Sequence, residues 1–321
     1  MSDRLTRRAA VMAKVEAVYG TAETNFAATD AVLLVNPPSF AIEPDNVPRN
    51  LALPWLGNSE ELPATRRARL KFDVELVGSG TPGTPPAWGK FLRGCGFAET
   101  IVAGNRVEYT PVNTGFEGLT FRFFRDGVRY VARGGRGTVK LNLAAYAVPT
   151  ASFEFQAFDT LAVPAGVPAI DLSAFISPEV VTDAASGDIR LGATLATGTI
   201  SGGQVLASKG LTIDIGNKVS HRKILGGEQI RIGDRSVSGQ MAVDLTAEDE
   251  ITWRSDINAV ALTSVAFQHG TAAGKRIALF GGRVQRTNPQ AIDDDGSVLI
   301  QSDLRFLPGP TGAPEITIIA R

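Results

Sequence analysis

Residues 66–76 read RRARLKFDVEL, and the second half of this stretch decides the fold class. Phe72, Val74 and Leu76 are apolar, and the two residues that separate them are charged. A period of two places alternate side chains on opposite faces of an extended chain. The stretch therefore predicts an antiparallel β-strand with one buried face and one polar face.

The same alternation recurs along the chain, at residues 139–143, 153–155, 211–215, 241–245 and 298–306. The 321 residues include 34 glycines and 18 prolines, and this excess indicates many turns. We therefore predict an all-β chain with minor helices.

Three segments have helical rather than extended patterns. Residues 4–19 are rich in Ala, Arg, Lys and Glu. Residues 86–95 begin with proline and space their apolar residues three and four apart, which predicts a helix with one apolar stripe. Residues 246–258 begin with Thr246 and then acidic residues, a pattern typical of a capped helix N-terminus.

The deciding stretch has a second copy. Residues 235–245 read RSVSGQMAVDL and share with 66–76 the first arginine, a valine and the final acid-leucine pair. Residues 40–47 match 211–219 at an offset of 171, close to the offset of 169 between the first two blocks. Blocks around the tryptophans at 88 and 253, and around the Leu-Thr pairs at 119 and 262, follow in the same order. Four blocks in one order favour an internal duplication over chance.

The duplication predicts three regions. A first domain spans 1–160, a connector with entry strands spans 161–210, and a second domain spans 211–321. Residues 161–168 carry no charge and include Pro164 and Pro168, a composition that suits a stiff connector.

The overall composition excludes several classes of protein. Lys and Arg number 32 and Asp and Glu 33, a net charge of -1, which argues against a dedicated binder of nucleic acid or of anionic membranes. One cysteine and two histidines are too few for an internal disulfide or for most zinc sites, so we expect no metal and no cofactor. No apolar run approaches the length of a membrane span or of a signal-peptide core, so we expect a soluble protein made in a cytoplasm.

Glycine-rich and acidic segments imitate known binding motifs. Residues 78–83 match G-x-G-x-x-G between a strand and a helix, but the preceding strand alternates and no series of βαβ units follows, so a flexible loop is favoured. Residues 83–90 imitate a phosphate loop with the wrong glycine spacing, and Phe91 stands where a hydroxyl residue should be. Asp293, Asp294 and Asp295 precede a glycine without the closing acid of a calcium loop, which favours a solvated turn.

No combination of residues indicates catalysis, so we do not expect an enzyme. His221 and His269 are predicted to lie in loops, outside any metal or nucleophile motif. Cys95 falls on the apolar stripe of residues 86–95, where a buried inert thiol is the common case. On an alternating strand Arg67 and Arg69 share one face and Arg66 points the other way, which indicates a solvated or subunit-facing edge.

A long apolar loop is the remaining unusual feature. Residues 47–63 read VPRNLALPWLGNSEELP, although a hairpin needs only two to five residues to turn. Such a loop usually docks on its own domain or on a partner. We therefore predict contact sites at the apolar residues of this loop and of the matching loop at 218–229: Leu51, Leu53, Trp55, Leu56, Val219, Ile224 and Leu225.

The sequence resembles the major tail tube proteins of bacteriophages with long, non-contractile tails. The resemblance lies in residues 14–22, KVEAVYGTA, in residues 83–97, GTPPAWGKFLRGCGF, and in the strand-loop-strand blocks of both halves. It covers most of the chain and is closer in the first half. Most members of that family have one tube domain per chain, so a doubled chain departs from the common form.

The resemblance implies two tandem β-sandwich or open-barrel domains, each with a short flanking helix and a long hairpin loop. It also implies a structural subunit of the virion tail that assembles into stacked rings, with neighbouring inner sheets joined around a lumen through which DNA passes. Expected partners are further copies of the chain and the tail terminator, distal tail and tape-measure proteins. If each ring keeps six domains, three doubled chains close it.

Two other classes of protein compete with this interpretation. A secreted or surface β-sandwich that binds carbohydrate or protein predicts a signal peptide and an aromatic-rich binding face, and the sequence indicates neither. An enzyme has only the glycine-rich stretch 78–83 in its favour.

Overall fold

The computed structural model describes residues 4–5 and 8–321, and antiparallel strands dominate it. The strands of the first half are β1 (Ala9–Val15), β2 (Ser39–Pro48), β3 (Glu61–Glu75), β4 (Phe97–Val102), β5 (Arg106–Pro111), β6 (Leu119–Arg125), β7 (Val128–Ala144) and β8 (Thr150–Asp159). The connector contains β9 (Val163–Pro164), β10 (Ser186–Leu191), β11 (Thr194–Ala196), β12 (Thr199–Ser201) and β13 (Gln204–Leu206). The second half contains β14 (Ser208–Asp214), β15 (Asn217–Ile224), β16 (Gly227–Arg235), β17 (Ser238–Val243), β18 (Leu262–His269), β19 (Ile277–Asp294), β20 (Ser297–Phe306) and β21 (Thr317–Ala320).

The helices are short. Among the described residues they are α1 (Gly89–Gly94) and α2 (Ala247–Asn258), with one 3-10 turn at Ala28–Asp30. No helix in this part of the chain combines the length and apolar character that crossing a membrane requires. The prediction of an all-β chain with minor helices is confirmed.

The two halves arrange their strands in the same order. In the first half the pairing runs β1-β6-β7-β8-β3-β2, and every pair is antiparallel. In the second half it runs β10-β18-β19-β20-β17-β14, again antiparallel throughout. Helix α1 follows β3, and helix α2 follows β17, the strand in the same place.

Strand β7 joins the halves into one continuous sheet. One of its edges pairs with β8, while the other edge pairs first with β6 and then with β14. In this seam Gly210 lies opposite Ala144 and Asp214 opposite Lys140. Eight strands therefore run side by side in the order β2-β3-β8-β7-β14-β17-β20-β19, and each runs opposite to its neighbour.

The predicted alternation gives this sheet one buried face. Phe72 and Val74 of β3 are buried, and the side chains that face them on neighbouring strands are buried too. Buried residues of both halves form one continuous core, with a cluster of packed aromatic rings that includes Phe91, Phe153 and Phe155. The opposite face carries the polar residues of each strand.

Both predicted short helices close over this core. Trp88, just before α1, is buried, and its indole N–H donates to the Val77 carbonyl at 2.7 Å. Trp253 of α2 is also buried and donates to the Ser302 hydroxyl at 3.1 Å. Thr246 caps α2 as predicted, because its hydroxyl accepts the Asp249 backbone N–H.

The helix predicted for residues 4–19 is wrong. Residues 9–15 form strand β1, which pairs with β6 from Ala9 opposite Arg125 to Val15 opposite Leu119; residues 6 and 7 lie outside the described part. Val11 packs into the main core while Met12 points into a second apolar cluster with Phe124, so the strand is covered on both faces. Helix propensity is a weak preference that such tertiary burial overrides.

Candidate functional site: hairpins, polar face and open edges

The first hairpin, β2 with β3, projects beyond the core. Its strands pair from Ser39 opposite Lys71 to Pro48 opposite Glu61, which leaves residues 49–60, here called the first tip. An ion pair between Arg49 and Glu60 closes the neck.

The first tip carries the apolar side chains singled out from the sequence. Leu51, Leu53, Trp55 and Leu56 all lie exposed, Trp55 at 68% of its surface. A group of large exposed apolar side chains indicates a contact surface rather than part of the domain core.

The second hairpin, β15 with β16, differs from the predicted loop at 218–229. These residues are paired, from Asn217 opposite Arg235 to Ile224 opposite Gly227, and only Leu225 and Gly226 form the turn. Gly226 has a positive φ of 83°, which glycine adopts without strain. Ile224 and Leu225 are exposed at this second tip, whereas Val219 is half-buried.

The two hairpins lie side by side and point the same way. Strand directions alternate along the sheet, so β2 and β14 run in the same direction, and the chain continues from β14 into β15. Lys223 of the second hairpin forms an ion pair with Asp45 of the first. The hydrogen bond from Lys223 lowers the pKa of the Asp45 carboxyl, so the pair stays ionised.

The first half holds the base of the second hairpin. The Tyr19 hydroxyl donates to the Ile230 carbonyl and accepts the Ile230 N–H, both at 2.9 Å. Arg136 stacks on the Tyr19 ring at 3.9 Å and donates to the same carbonyl at 3.0 Å. Its other donors reach the carbonyls of Phe116 and Glu117, so Arg136 is a structural clamp.

Ion pairs between strands neutralise the arginines of the polar face. Arg67 donates to Glu43 at 2.7 Å, and Arg69 bonds to Glu154, whose hydrogen bond raises the pKa of Arg69. Arg66 points to the other face and lies 3.4 Å from Asp159, as the alternation predicts. The basic cluster is therefore paired with acids on β2 and β8.

The polar face continues across the second half. Asp303 of β20 accepts from Gln240 of β17 at 3.2 Å and from Asn288 of β19 at 2.9 Å. Over the eight strands, acidic and basic side chains on this face are nearly balanced. The acids are Glu43, Asp45, Glu61, Asp73, Glu75, Glu154, Asp214, Asp294 and Asp303, and the bases are Arg67, Arg69, Lys71, Arg133, Arg136, Lys140, Arg305 and Lys209, the last paired with Asp294.

The eight-stranded sheet ends in two edges without a pairing partner in the described chain. Strand β2 pairs only with β3, so its other edge is open. At the far end, residues 286–294 of β19 pair with β20 on one side. On the other side, the pairing of β19 with β18 ends at Gln285, so the edge beyond it is open. Open edges of this length invite pairing with another chain.

The segments that imitate binding motifs have structural explanations. Residues 78–83 form a loop, as expected, and Gly80 donates to the Gly274 carbonyl of the second half at 3.0 Å. A Cβ at Gly78 would lie 2.0 Å from that same carbonyl, so close backbone packing requires glycine. Asp295 and Gly296 form the turn between β19 and β20.

The histidines and the cysteine serve packing. His221 and His269 lie in strands β15 and β18, so their predicted loop positions are wrong. His269 is buried between the Ser186 hydroxyl, at 2.8 Å, and the Glu179 carbonyl, at 3.0 Å. Cys95 is buried, and burial raises the pKa of its thiol. The described residues contain no group of three or more potential metal ligands.

Sequence comparison identifies the family of the chain. A family model described as phage tail tube protein matches residues 6–306 in a single span. No curated protein matches the chain. Since the match covers nearly the whole length, including both hairpins and both open edges, the chain belongs to the phage tail tube proteins, the structural subunits that assemble into the tube of the viral tail.

Proposed function

We propose that three copies of this chain close into a ring, and that such rings stack into the DNA conduit of a long, non-contractile tail. The observation that carries the proposal is the relation between the two open edges of the sheet. One open edge, β2, has the same place in the first half that β14 has in the second. The other, the end of β19, has the same place that the end of β7 has in the first half.

The seam inside the chain is the template for the seam between chains. Strand β14 pairs antiparallel with the end of β7. Strand directions alternate from β2 to β19, so β2 of a second copy meets β19 antiparallel as well. Pairing there leaves no open edge in the ring, which removes the usual route to edge-to-edge aggregation.

The template also gives the register. Val74 lies opposite Ala151, which lies opposite Leu141, and Leu141 faces Ile213 across the seam. In the second half Val243 lies opposite Ile300, which lies opposite Ala291. Ala291 thus corresponds to Leu141. Ile213 lies opposite Gly239, which is 169 positions after Leu70, and Leu70 lies opposite Phe40, so Phe40 corresponds to Ile213. We expect Phe40 of one copy opposite Ala291 of the next, and hence the exposed Ala41 opposite the exposed Gln290.

Duplication accounts for the choice of three chains. The identical strand orders of the two halves support two tube units per chain, with 161–210 as the connector. Three chains then supply six units, and each contact between chains joins unlike halves in a closed heterologous ring. Six of the seven residues named from the sequence lie at the tips of the two hairpins and become the contacts between stacked rings; Val219, opposite Ile232, lies near the base of the second hairpin.

The polar face suits a lumen for DNA. The arginines of β3 are held by Glu43 and Glu154, so they offer little to phosphates, and the near balance of acids and bases leaves no net positive charge to bind a polyanion tightly. This structural role uses no catalytic group and no cofactor. The tail terminator, distal tail and tape-measure proteins are the expected partners of the finished tube.

A double variant tests the ring directly. Residues opposite each other in an antiparallel pair have Cα atoms about 4.5–5.5 Å apart, within disulfide range. Under oxidation, Ala41→Cys combined with Gln290→Cys should give a covalent ladder that stops at the trimer on a non-reducing gel. Each single variant is the control and should stay monomeric on the same gel, because the native Cys95 is buried.

Two results would contradict the proposal. A ladder that extends to six chains would show that a ring contains six copies. Absence of any ladder, together with negative-stain images without rings or rods, would refute assembly through these edges.

A further inference from the structure

The end of the sheet opposite the tips carries a second group of exposed apolar side chains. It comprises Leu33, Val35, Tyr146, Val148 and Val180, here called the basal patch. Three separate segments of the first half and its connector contribute to it.

Backbone hydrogen bonds hold these segments together. The Val35 N–H donates to the Asp73 carbonyl at 3.0 Å, which places the first segment at the end of β3. The Tyr146 N–H donates to the Val181 carbonyl at 2.7 Å, and the Val181 N–H returns to the Ala147 carbonyl at 3.0 Å. Leu33 and Val35 also border a cavity of about 190 Å³ that is lined by apolar side chains such as Ile176 and by Glu75. The patch is therefore a built surface with a recess beside it.

Tyr146 has an unusual backbone conformation. Its φ is +59°, in the left-handed region that bulky residues rarely adopt, and its side chain is 81% exposed. The fold gains no packing from an aromatic ring held outward in this way. Strain of this kind collects at functional positions, and tyrosine is enriched in the cores of protein interfaces.

The basal patch and the first tip lie at opposite ends of the same hairpin. Strand β3 runs for 15 residues between them, from Glu61 to Glu75, a length of roughly 50 Å at about 3.3 Å per residue. A copy placed above another in the same orientation brings the tip of the lower one toward the patch of the upper one. Contacts between two different surfaces of this kind continue indefinitely along an axis.

We propose that the first tip of one copy docks on the basal patch of a second copy in the next ring. This inference rests on the proposed stacking of rings and assigns the receiving surface. The occupant is a second copy of this chain, because the apolar side chains of the tip, Trp55 and three leucines, match the apolar side chains of the patch and of the recess beside the patch. Trp55 alone presents roughly 100–170 Å², and three tips per ring would bury roughly 1,000 Å², the scale of a stable interface.

The second half repeats the relation on a smaller scale. Its tip has Ile224 and Leu225, and the same end of its strands exposes Val205 and Val298. The first half thus carries the larger tip and the larger patch, and the second half carries the smaller tip and the smaller patch. Stacking therefore places first halves over first halves.

A cysteine pair across the contact tests the proposal in assembled tubes. One preparation carries Leu56→Cys and another Tyr146→Cys; both positions are exposed, so folding should be unchanged, which circular dichroism checks. Mixed, assembled and oxidised, they should give a disulfide dimer that neither preparation gives alone. The matched control is Leu225→Cys mixed with Tyr146→Cys, which should give at least tenfold less dimer.

The outcomes separate this inference from the proposed function. Tubes that form normally and give no dimer of Leu56→Cys with Tyr146→Cys would overturn the docking surface and leave the tube itself intact. A dominant dimer from the Leu225→Cys control would overturn the stacking of like halves. If neither tubes nor the ring ladder of Ala41→Cys with Gln290→Cys form, the proposed function fails, and the docking surface fails with it.

Discussion

Replacing Leu53 and Trp55 of the first tip by serine should abolish stacking and leave the fold intact. In the single chain Leu53 is 41% and Trp55 68% exposed. Full burial of a large apolar side chain contributes about 1.5–3 kcal/mol, so these exposed fractions give about 2–3 kcal/mol per copy. Three copies per ring raise the loss to roughly 5–10 kcal/mol per ring contact, several powers of ten in the stacking constant.

The fold should tolerate this change because the tip adds little to the core. Surface substitutions usually change stability by less than about 0.5 kcal/mol. We expect thermal unfolding to match the unmodified chain, while negative-stain images show rings or short stacks instead of long tubes. Ile251→Ser, an exposed apolar position on α2, is the control and should leave tube length unchanged.

Two results would refute this reasoning. Loss of the folded state in the double variant would mean that the first tip packs into the domain. Tubes of normal length would mean that the tip takes no part in stacking.

The remaining predictions concern DNA, pH and the second hairpin. The protein should not retain duplex DNA at physiological salt in a filter-binding assay, whereas Glu43→Gln with Glu154→Gln, which frees the arginines of β3, should give salt-sensitive binding. Burial lowers the pKa of Lys90 to about 8. Between about pH 8 and 10.5 the unfolded chain therefore keeps a proton on Lys90 that the folded chain has lost, so raising the pH favours the folded state. Relative to Lys90→Met, the free energy of unfolding from denaturant titrations should rise by on the order of 3 kcal/mol over this range. Tyr19→Phe removes both hydrogen bonds to Ile230 and should cost about 1–3 kcal/mol, with faster amide exchange confined to β15 and β16; uniform exchange would show that Tyr19 does not hold the hairpin.

The sequence identifies what alternation and spacing encode. Phe72 and Val74 are buried as the period of two requires, and the stripe of residues 86–95 packs into the core on α1. Residues 9–15 were misassigned because a strand buried on both faces has no alternation, so its alanines resemble a helix. Burial against β6 and Phe124 is a long-range property that the local sequence does not report.

The candidate surfaces divide in the same way. Trp55 and its leucines could be singled out locally, because apolar residues in a long loop are unusual at any position. The basal patch could not be found in this way, since Leu33, Tyr146 and Val180 are far apart in sequence and only the tertiary fold brings their segments to the same end of the sheet. The left-handed backbone of Tyr146 is a local feature, but the sequence does not predict it, because glycine and asparagine are the residues that usually indicate that conformation.

Joining two units in one chain changes how the proposed ring closes. Single-unit subunits must form every seam between separate molecules, and each association costs translational and rotational freedom. Here the β7–β14 seam forms within the chain, so every second seam is intramolecular and independent of protein concentration. Only the seams between β2 of one copy and β19 of the next therefore depend on protein concentration. Since the two units never exchange places, they can also differ, and a large first tip beside a small second tip is stable only in a chain that fixes their order.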